Sequence, residues 1–229
     1  MKSAAFSLYP ISLSLKGRHC LLVGLGAVGQ RKLSGLVPCA PASILVLDSA
    51  PPSQQALPLL TAACVQFEQR ACVAEDVFGK IMVFVATDDT RENTRIADMC
   101  HDANVLCNCA TEPERGSFYV PAVVRQGCLE ATISTGGASP ALVRRWRPEL
   151  ADWLAPRARM AVFMGRLRPL ILALHNASEQ NTKLFRELTE SPLQQWLHEG
   201  DIQRCRLLLE EKLPQNLHAH LAELLDDLS

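Results

Sequence analysis

The stretch HCLLVGLGAVGQRKLSGL, residues 19–36, constrains the fold more than any other part of the chain. An uncharged apolar run of strand length enters Gly24, Gly26 and Gly29, spaced G-x-G-x-x-G, and helical spacing begins near Ala27. In a strand–turn–helix unit of this kind Gly24 allows the tight turn, Gly26 lets the backbone approach a pyrophosphate, and Gly29 lets the helix pack on the sheet. The helix N-terminus at Ala27 and Val28 then faces the phosphates with free N–H groups. Three glycines near a turn are a weak signal alone. Asp48, ending the apolar run ASILVLD, strengthens it, because an acid about 20 residues onward accepts hydrogen bonds from ribose hydroxyls and repels a 2′-phosphate. Asp48 also suits a turn before Pro51 and Pro52, but strand, glycines and spacing together favour a dinucleotide site, with NAD as the cofactor.

The apolar periodicity after this unit alternates between strand and helix. Val65–Phe67 is a short strand candidate, KIMVFVATDD a strong one that stops at Thr87, a helix follows over Arg91–Ala103, and Val105–Ala110 is the next strand. Alternation of this type predicts an α/β fold with a Rossmann-like parallel sheet and ligands at the carboxyl ends of the strands. From Phe118 the pattern changes to two alternating runs broken by RQG, which predicts an antiparallel pair. After Pro140 the chain reads as helical. Helices are expected over ALVRRWRPELADWLAP, over Arg157–Leu174, over Leu193–Leu213 and over Leu217–Leu228, with Pro148 in a first turn or at a break.

Composition excludes several classes. With 229 residues, 48% of them apolar, the chain fills a real core, and no apolar run is long enough for a membrane span. The N-terminal MKSAAFSLYPISLSLKG alternates polar residues and holds Pro10, unlike a signal peptide, which predicts a cytoplasmic location. Nine scattered cysteines fit reduced, mostly buried thiols, and a net charge of −1 argues against general nucleic-acid binding.

Local charge is more informative than the sum. Arg144, Arg145, Arg147, Arg157, Arg159, Arg166 and Arg168 crowd into a short part of the helical half, which suits a polyanionic ligand, although any one of them also suits a solvated helix face. Trp146, Trp153 and Trp196 fall at apolar helix positions, where packing is expected. In STGGASP, residues 134–140, Ser139 is placed to cap a helix with Pro140 at its first position, while Thr135, Gly136 and Gly137 have no such explanation. Cys107 and Cys109 share a strand face but lack the further ligands of a structural zinc site, so no metal site is expected. His101, His175, His218 and His220 form no H-x-x-x-H pair, and the last two are expected to be exposed.

Four blocks together resemble the precorrin-2 dehydrogenase/sirohydrochlorin ferrochelatase family, which includes the N-terminal part of sirohaem synthase. They are LYPISLSLKGRHCLLVGLGAVGQRKL, VFVATDDTRENTRIADMC, CNCATEPERGSFYVPAVV and, most distinctively, ISTGGASPALVRRWRPEL. The resemblance implies NAD-dependent oxidation of precorrin-2 to sirohydrochlorin in sirohaem biosynthesis, with ferrous iron as a further substrate where chelation also occurs. It implies a homodimer built from an NAD-binding Rossmann domain over 1–120, a dimerisation segment over 121–152 and a helical domain over 153–229. The family's cofactor contacts fall on Gly24, Gly26, Ala27, Val28, Gly29, Asp48, Ser49 and Thr87. The substrate-binding candidates are Thr135, Gly136, Arg144 and Arg145, and a serine that can be phosphorylated in at least one member of the family aligns with Thr135.

One departure bears on chemistry. Where the family pattern C-N-x-x-D-x-P has an aspartate, this chain has Thr111, followed by Glu112. Threonine is no carboxylate base; it orients a proton or a water through its hydroxyl. Thr111 and Glu112 are the catalytic candidates, with His101 a weaker one, and dehydrogenation is expected more firmly than chelation. The rival readings are another Rossmann oxidoreductase, a carrier or sensor that binds NAD and a tetrapyrrole without turnover, and a nucleic-acid-binding regulator that uses the basic helices.

Overall fold

A computed structural model describes residues 8–174 and 178–228; His175 and the start of the N-terminal segment lie outside the described residues. Two compact units follow one another, Met1–Val120 and Pro121–Ser229.

The first unit is built on a parallel sheet of β1 (His19–Val23), β2 (Ser43–Asp48), β3 (Val65–Gln69), β4 (Met82–Val85) and β5 (Leu106–Cys109) in the order β3-β2-β1-β4-β5. The central strands are continuous apolar runs because both faces are covered. On one face Cys20, Leu22, Ile44, Val46, Met82 and Phe84 pack with Leu33 and Leu36 of α1 (Ala27–Leu36). On the other Leu21, Val23, Leu47, Val83 and Val85 pack with Ile96, Ala97 and Cys100 of α2 (Thr90–Asp102). Strand order reverses beside β1, so the crevice between the carboxyl ends of β1 and β4 is the switch point where this fold takes ligands.

α2 starts where Asp89 accepts hydrogen bonds from the N–H groups of Arg91 and Glu92. α1 has no such device: neither an acidic residue in its first turn nor a side-chain cap is present, so its first N–H groups stay open to an anion.

In the second unit β6 (Ala122–Gln126) and β7 (Leu129–Ile133) form the expected antiparallel hairpin, turning at Gly127 with φ 57°. α3 (Pro140–Leu154) packs on this hairpin. A separate core of leucines with Phe163 and Ile171 joins α4 (Ala158–Leu172), α5 (Ser178–Glu190), α6 (Leu193–Glu199), α7 (Ile202–Lys212) and α8 (Leu221–Leu225).

The helical half departs from the sequence reading in several places. Pro148 lies inside α3 and neither starts nor breaks it; the carbonyl that loses its partner belongs to Arg144, an exposed residue open to water. α5 is an additional helix, and only Asn181 and Leu188 of its residues are buried, so its apolar signal is thin. The helix expected over Leu193–Leu213 divides at Gly200, whose φ of 75° ends α6, while Asp201 caps α7 by accepting from the Arg204 N–H. The segment expected as a helix over Leu217–Leu228 is a 3-10 turn over Gln215–His220 followed by the short α8. His218 and His220, expected to be exposed, are both half-buried, the His218 Nε2 lying 3.0 Å from the Leu213 carbonyl.

Arg70, just beyond the sheet-edge strand β3, is pinned by a bidentate pair to Asp76, 2.7 Å at each oxygen, and by Glu68 at 2.7 Å. The Arg70 guanidinium holds the Asp76 carboxyl below the usual carboxylate range. Since the folded-state pKa is the depressed one, the stabilisation is complete above the unfolded carboxylate's pKa and fades as pH falls through the folded value. Asp76→Asn is expected to lower unfolding free energy by on the order of 1–3 kcal/mol at about pH 7 and to flatten its decline below about pH 4, read from urea unfolding across pH.

Candidate dinucleotide site and the strand-end network

Each glycine of the turn answers to a different neighbour. Gly24 has φ 94°, and a Cβ on it would enter the backbone of Ala86 and Thr87 just past β4. A Cβ on Gly29 would strike the Gly24 carbonyl. Both positions are therefore demanded by protein packing. Gly26 is not: its φ of −67° suits any residue and an added Cβ would meet nothing within 4 Å. Gly26, Ala27 and Val28 are exposed at the α1 N-terminus, where backbone amides face open space.

Asp48 has a structural duty that the sequence reading did not assign. One carboxylate oxygen accepts the Leu25 N–H at 2.6 Å and the other accepts the Ala50 N–H at 2.8 Å, so the end of β2 holds the glycine loop in place. Gln30 braces the same loop by donating to the Leu25 carbonyl at 3.0 Å. The half-buried Asp48 keeps unused lone pairs for ribose hydroxyls, and Ser49 beside it is exposed. The open helix end, the acid at the end of β2 and the absent side chain at Gly26 fit an adenine dinucleotide; such a cofactor would supply hydride acceptance.

Thr87 is differently employed. Its N–H and hydroxyl both go to Asn93 Oδ1, at 3.2 and 2.6 Å, and its carbonyl accepts from Asn93 Nδ2 at 3.0 Å. Asn93 also donates to Thr111 Oγ1 at 3.1 Å, which ties the loop after β4 to the loop after β5. Asn93 was not singled out from sequence; in TRENTR it looks like one more solvated polar residue.

Glu112 points elsewhere. Its carboxylate accepts from Thr94 Oγ1 at 2.7 Å and pairs with Arg115 at 3.1 Å, against the side of α2. His101 lines an open groove with Cys100, Cys107, Glu114, Arg115 and Ser117. Cys107 and Cys109 are buried thiols; contact with Cys107 and burial push the Cys100 thiol upward, and the same contact holds the Cys107 thiol down.

The remaining candidates, Thr135, Gly136, Arg144 and Arg145, belong to the second unit. Thr135 Oγ1 accepts the Ser139 N–H at 3.0 Å, and Gly136 and Gly137 take φ of 60° and 86°, so this turn builds the start of α3. Ser139 caps that helix through the Leu142 N–H at 3.3 Å. The arginines divide. Arg157 lies 3.9 Å over the Trp153 ring, Arg159 donates to the carbonyls of Leu197 and His198 at the end of α6, and Arg166 donates to those of Glu223, Leu224 and Asp226 at the end of α8. Arg144, Arg145 and Arg147 stay exposed on α3, where, among the described residues, the one ion pair is at 3.8 Å between Arg145 and Glu149. Trp146 and Trp153 are 37% and 55% exposed, so packing within the chain does not account for them.

Fold and site define the class: a Rossmann dinucleotide-binding domain followed by a hairpin and a helical unit. Residues 11–122 match a family described as "Putative NAD(P)-binding". The chain is 29% identical over 210 residues to the siroheme synthase of Thioalkalivibrio sulfidiphilus, covering 91% of this chain and 42% of that one. With the siroheme synthase of Azotobacter vinelandii it is 30% identical over 210 residues, covering 89% and 44%. Among solved structures, "SirC, precorrin-2 dehydrogenase" superposes with a TM-score of 0.72 at 25% identity, over 87% of this chain and 100% of the other. The chain is thus a homologue of the siroheme synthases over most of its length and shares its fold with a precorrin-2 dehydrogenase. It spans less than half the length of the curated relatives it matches.

The glycines yield a prediction with opposite outcomes at neighbouring positions. Gly26→Ala is expected to melt like the wild type yet bind NAD at least about tenfold more weakly, because a methyl group would enter the phosphate approach. Gly29→Ala is expected to lose about 2 kcal/mol or more of stability through overpacking. Thermal melts with calorimetric NAD titration read both.

Proposed function

We propose that this protein is an NAD-dependent dehydrogenase that oxidises precorrin-2 to sirohydrochlorin on the route to sirohaem, acting in the cytoplasm as a homodimer. The observation that carries the reading is the opening over Gly26, Ala27 and Val28 at the switch point, in a chain related to siroheme synthases and to a precorrin-2 dehydrogenase. The reaction balances as precorrin-2 and NAD⁺ giving sirohydrochlorin, NADH and a proton.

The N–H groups at Gly26, Ala27 and Val28 would bind the pyrophosphate, while Asp48 would accept from the adenosine ribose and favour NAD over NADP. The role of Thr87 is to fix the loop edge through Asn93 rather than to lend its hydroxyl to the cofactor. Arg144 and Arg145, with the exposed Arg147, remain available for the carboxylates of the tetrapyrrole. Thr111 offers no carboxylate and Glu112 is held by Thr94 and Arg115. Holding the reactants in reactive geometry leaves hydride transfer intact without such a base, with the proton passing to water. Insertion of ferrous iron, which requires removal of pyrrole protons, falls outside the proposal.

The homodimer reading rests on α3. Leu142, Trp146 and Trp153 occupy positions i, i+4 and i+11 and are 40%, 37% and 55% exposed, an apolar stripe flanked by the hairpin. Trp146→Glu with Trp153→Glu is expected to halve the mass seen by sedimentation equilibrium; a monomeric wild type would refute the assembly.

The activity is tested by supplying precorrin-2 with NAD and following sirohydrochlorin and NADH, with ferrous iron added in a separate assay. Glu112→Gln is expected to keep the dehydrogenase rate within about threefold, since the carboxylate is turned to α2. Thr111→Asp is expected to raise iron insertion from background. Tight sirohydrochlorin binding without NADH formation would replace the enzyme by a carrier.

A further inference from the structure

One buried amide governs which way the Thr111 hydroxyl works. Asn93 is fully shielded from solvent, and all four of its hydrogen-bonding capacities are filled. Its oxygen meets two donors of Thr87, and its NH2 group meets two acceptors, the Thr87 carbonyl and Thr111 Oγ1. The pattern fixes the orientation of the amide: rotated by half a turn, the NH2 group would oppose the Thr87 N–H. Thr111 Oγ1 is therefore an acceptor toward Asn93, and its own proton must point away from that amide.

Two other groups bear on where that proton goes. Cys109 Sγ lies 3.6 Å from Thr111 Oγ1 and is a weak acceptor. The neighbouring carboxylate, that of Glu112, is held by Thr94 and Arg115 and does not compete. Thr111 itself is exposed at the carboxyl end of β5, beside the switch-point strands.

We propose that Asn93 is a positioning residue that makes Thr111 a directed hydrogen-bond donor to a carboxylate of the tetrapyrrole. This rests on the proposed function for the identity of the ligand, not for the polarity of the Thr111 hydroxyl. The position thus binds substrate through a donated proton, and its contribution lies in affinity rather than in proton removal.

The test is a double-mutant cycle read by sirohydrochlorin titration and by precorrin-2 kinetics. Thr111→Val is expected to weaken sirohydrochlorin binding and to raise KM by about tenfold, the scale of one hydrogen bond to a charged acceptor, with kcat and the NAD dissociation constant little changed. Thr111→Ser is expected to restore binding. Asn93→Asp replaces the amide donor by an acceptor, draws the Thr111 proton inward and is expected to give a similar loss. Combined with Thr111→Val it is expected to add little further loss. Losses that multiply, or a Thr111→Val variant that binds like the wild type, would overturn the proposal. Should Asn93→Asp fail to fold, Asn93→Ser, whose shorter side chain withdraws the amide from Thr111 without adding charge, completes the cycle. A wild type that binds sirohydrochlorin without reducing NAD removes the proposed activity, while the binding cycle still decides the role of Asn93; a wild type that binds no sirohydrochlorin overturns both.

Discussion

The rest of the first unit depends on the contact between α1 and the end of β1. Gly29 lies so close to the Gly24 carbonyl that no side chain fits between them, and Gly24 in turn lies against the backbone that leaves β4. Two missing side chains bring a helix N-terminus, the end of β1 and the end of β4 to one place. From that approach follow the loop direction at Leu25, its capture by Asp48, and the exposure of Gly26. A Rossmann crevice is in this sense a packing consequence: the ligand surface is what remains after backbone has closed on backbone.

Around that crevice, polar side chains divide into those that hold the frame and those left open. Asn93 joins two strand-end loops, Asp48 holds the glycine loop, and Gln30 braces it. The same division runs through the arginines, where Arg159 and Arg166 donate to helix-end carbonyls and the α3 arginines stay in water. A cluster of like charges in sequence therefore overstated the cations available to a ligand.

Much of the sheet was legible because β1, β2 and β4 are buried on both faces and read as unbroken apolar runs. The hairpin and the Ser139 cap were equally clear, since turn and cap residues carry their own local chemistry. The helical unit was harder. Gly200 ends a helix through a left-handed backbone that apolar spacing does not announce, and α5 buries too little to stand out. At the site, the glycine spacing was legible, but the commitments of Thr87 and Glu112 were not. They depend on Asn93 and Thr94, neighbours on α2 that are 6 and 18 residues away along the chain.

Asp48 carries a consequence for how such a protein changes over time. The carboxylate proposed for the ribose edge of the crevice also accepts the Leu25 N–H inside the glycine loop. Replacing it to admit a phosphorylated ribose would release the loop that presents the pyrophosphate amides. On the proposed role of Asp48, cofactor preference and loop geometry form a single heritable trait, and a lineage leaving NAD for NADP must first find another partner for Leu25.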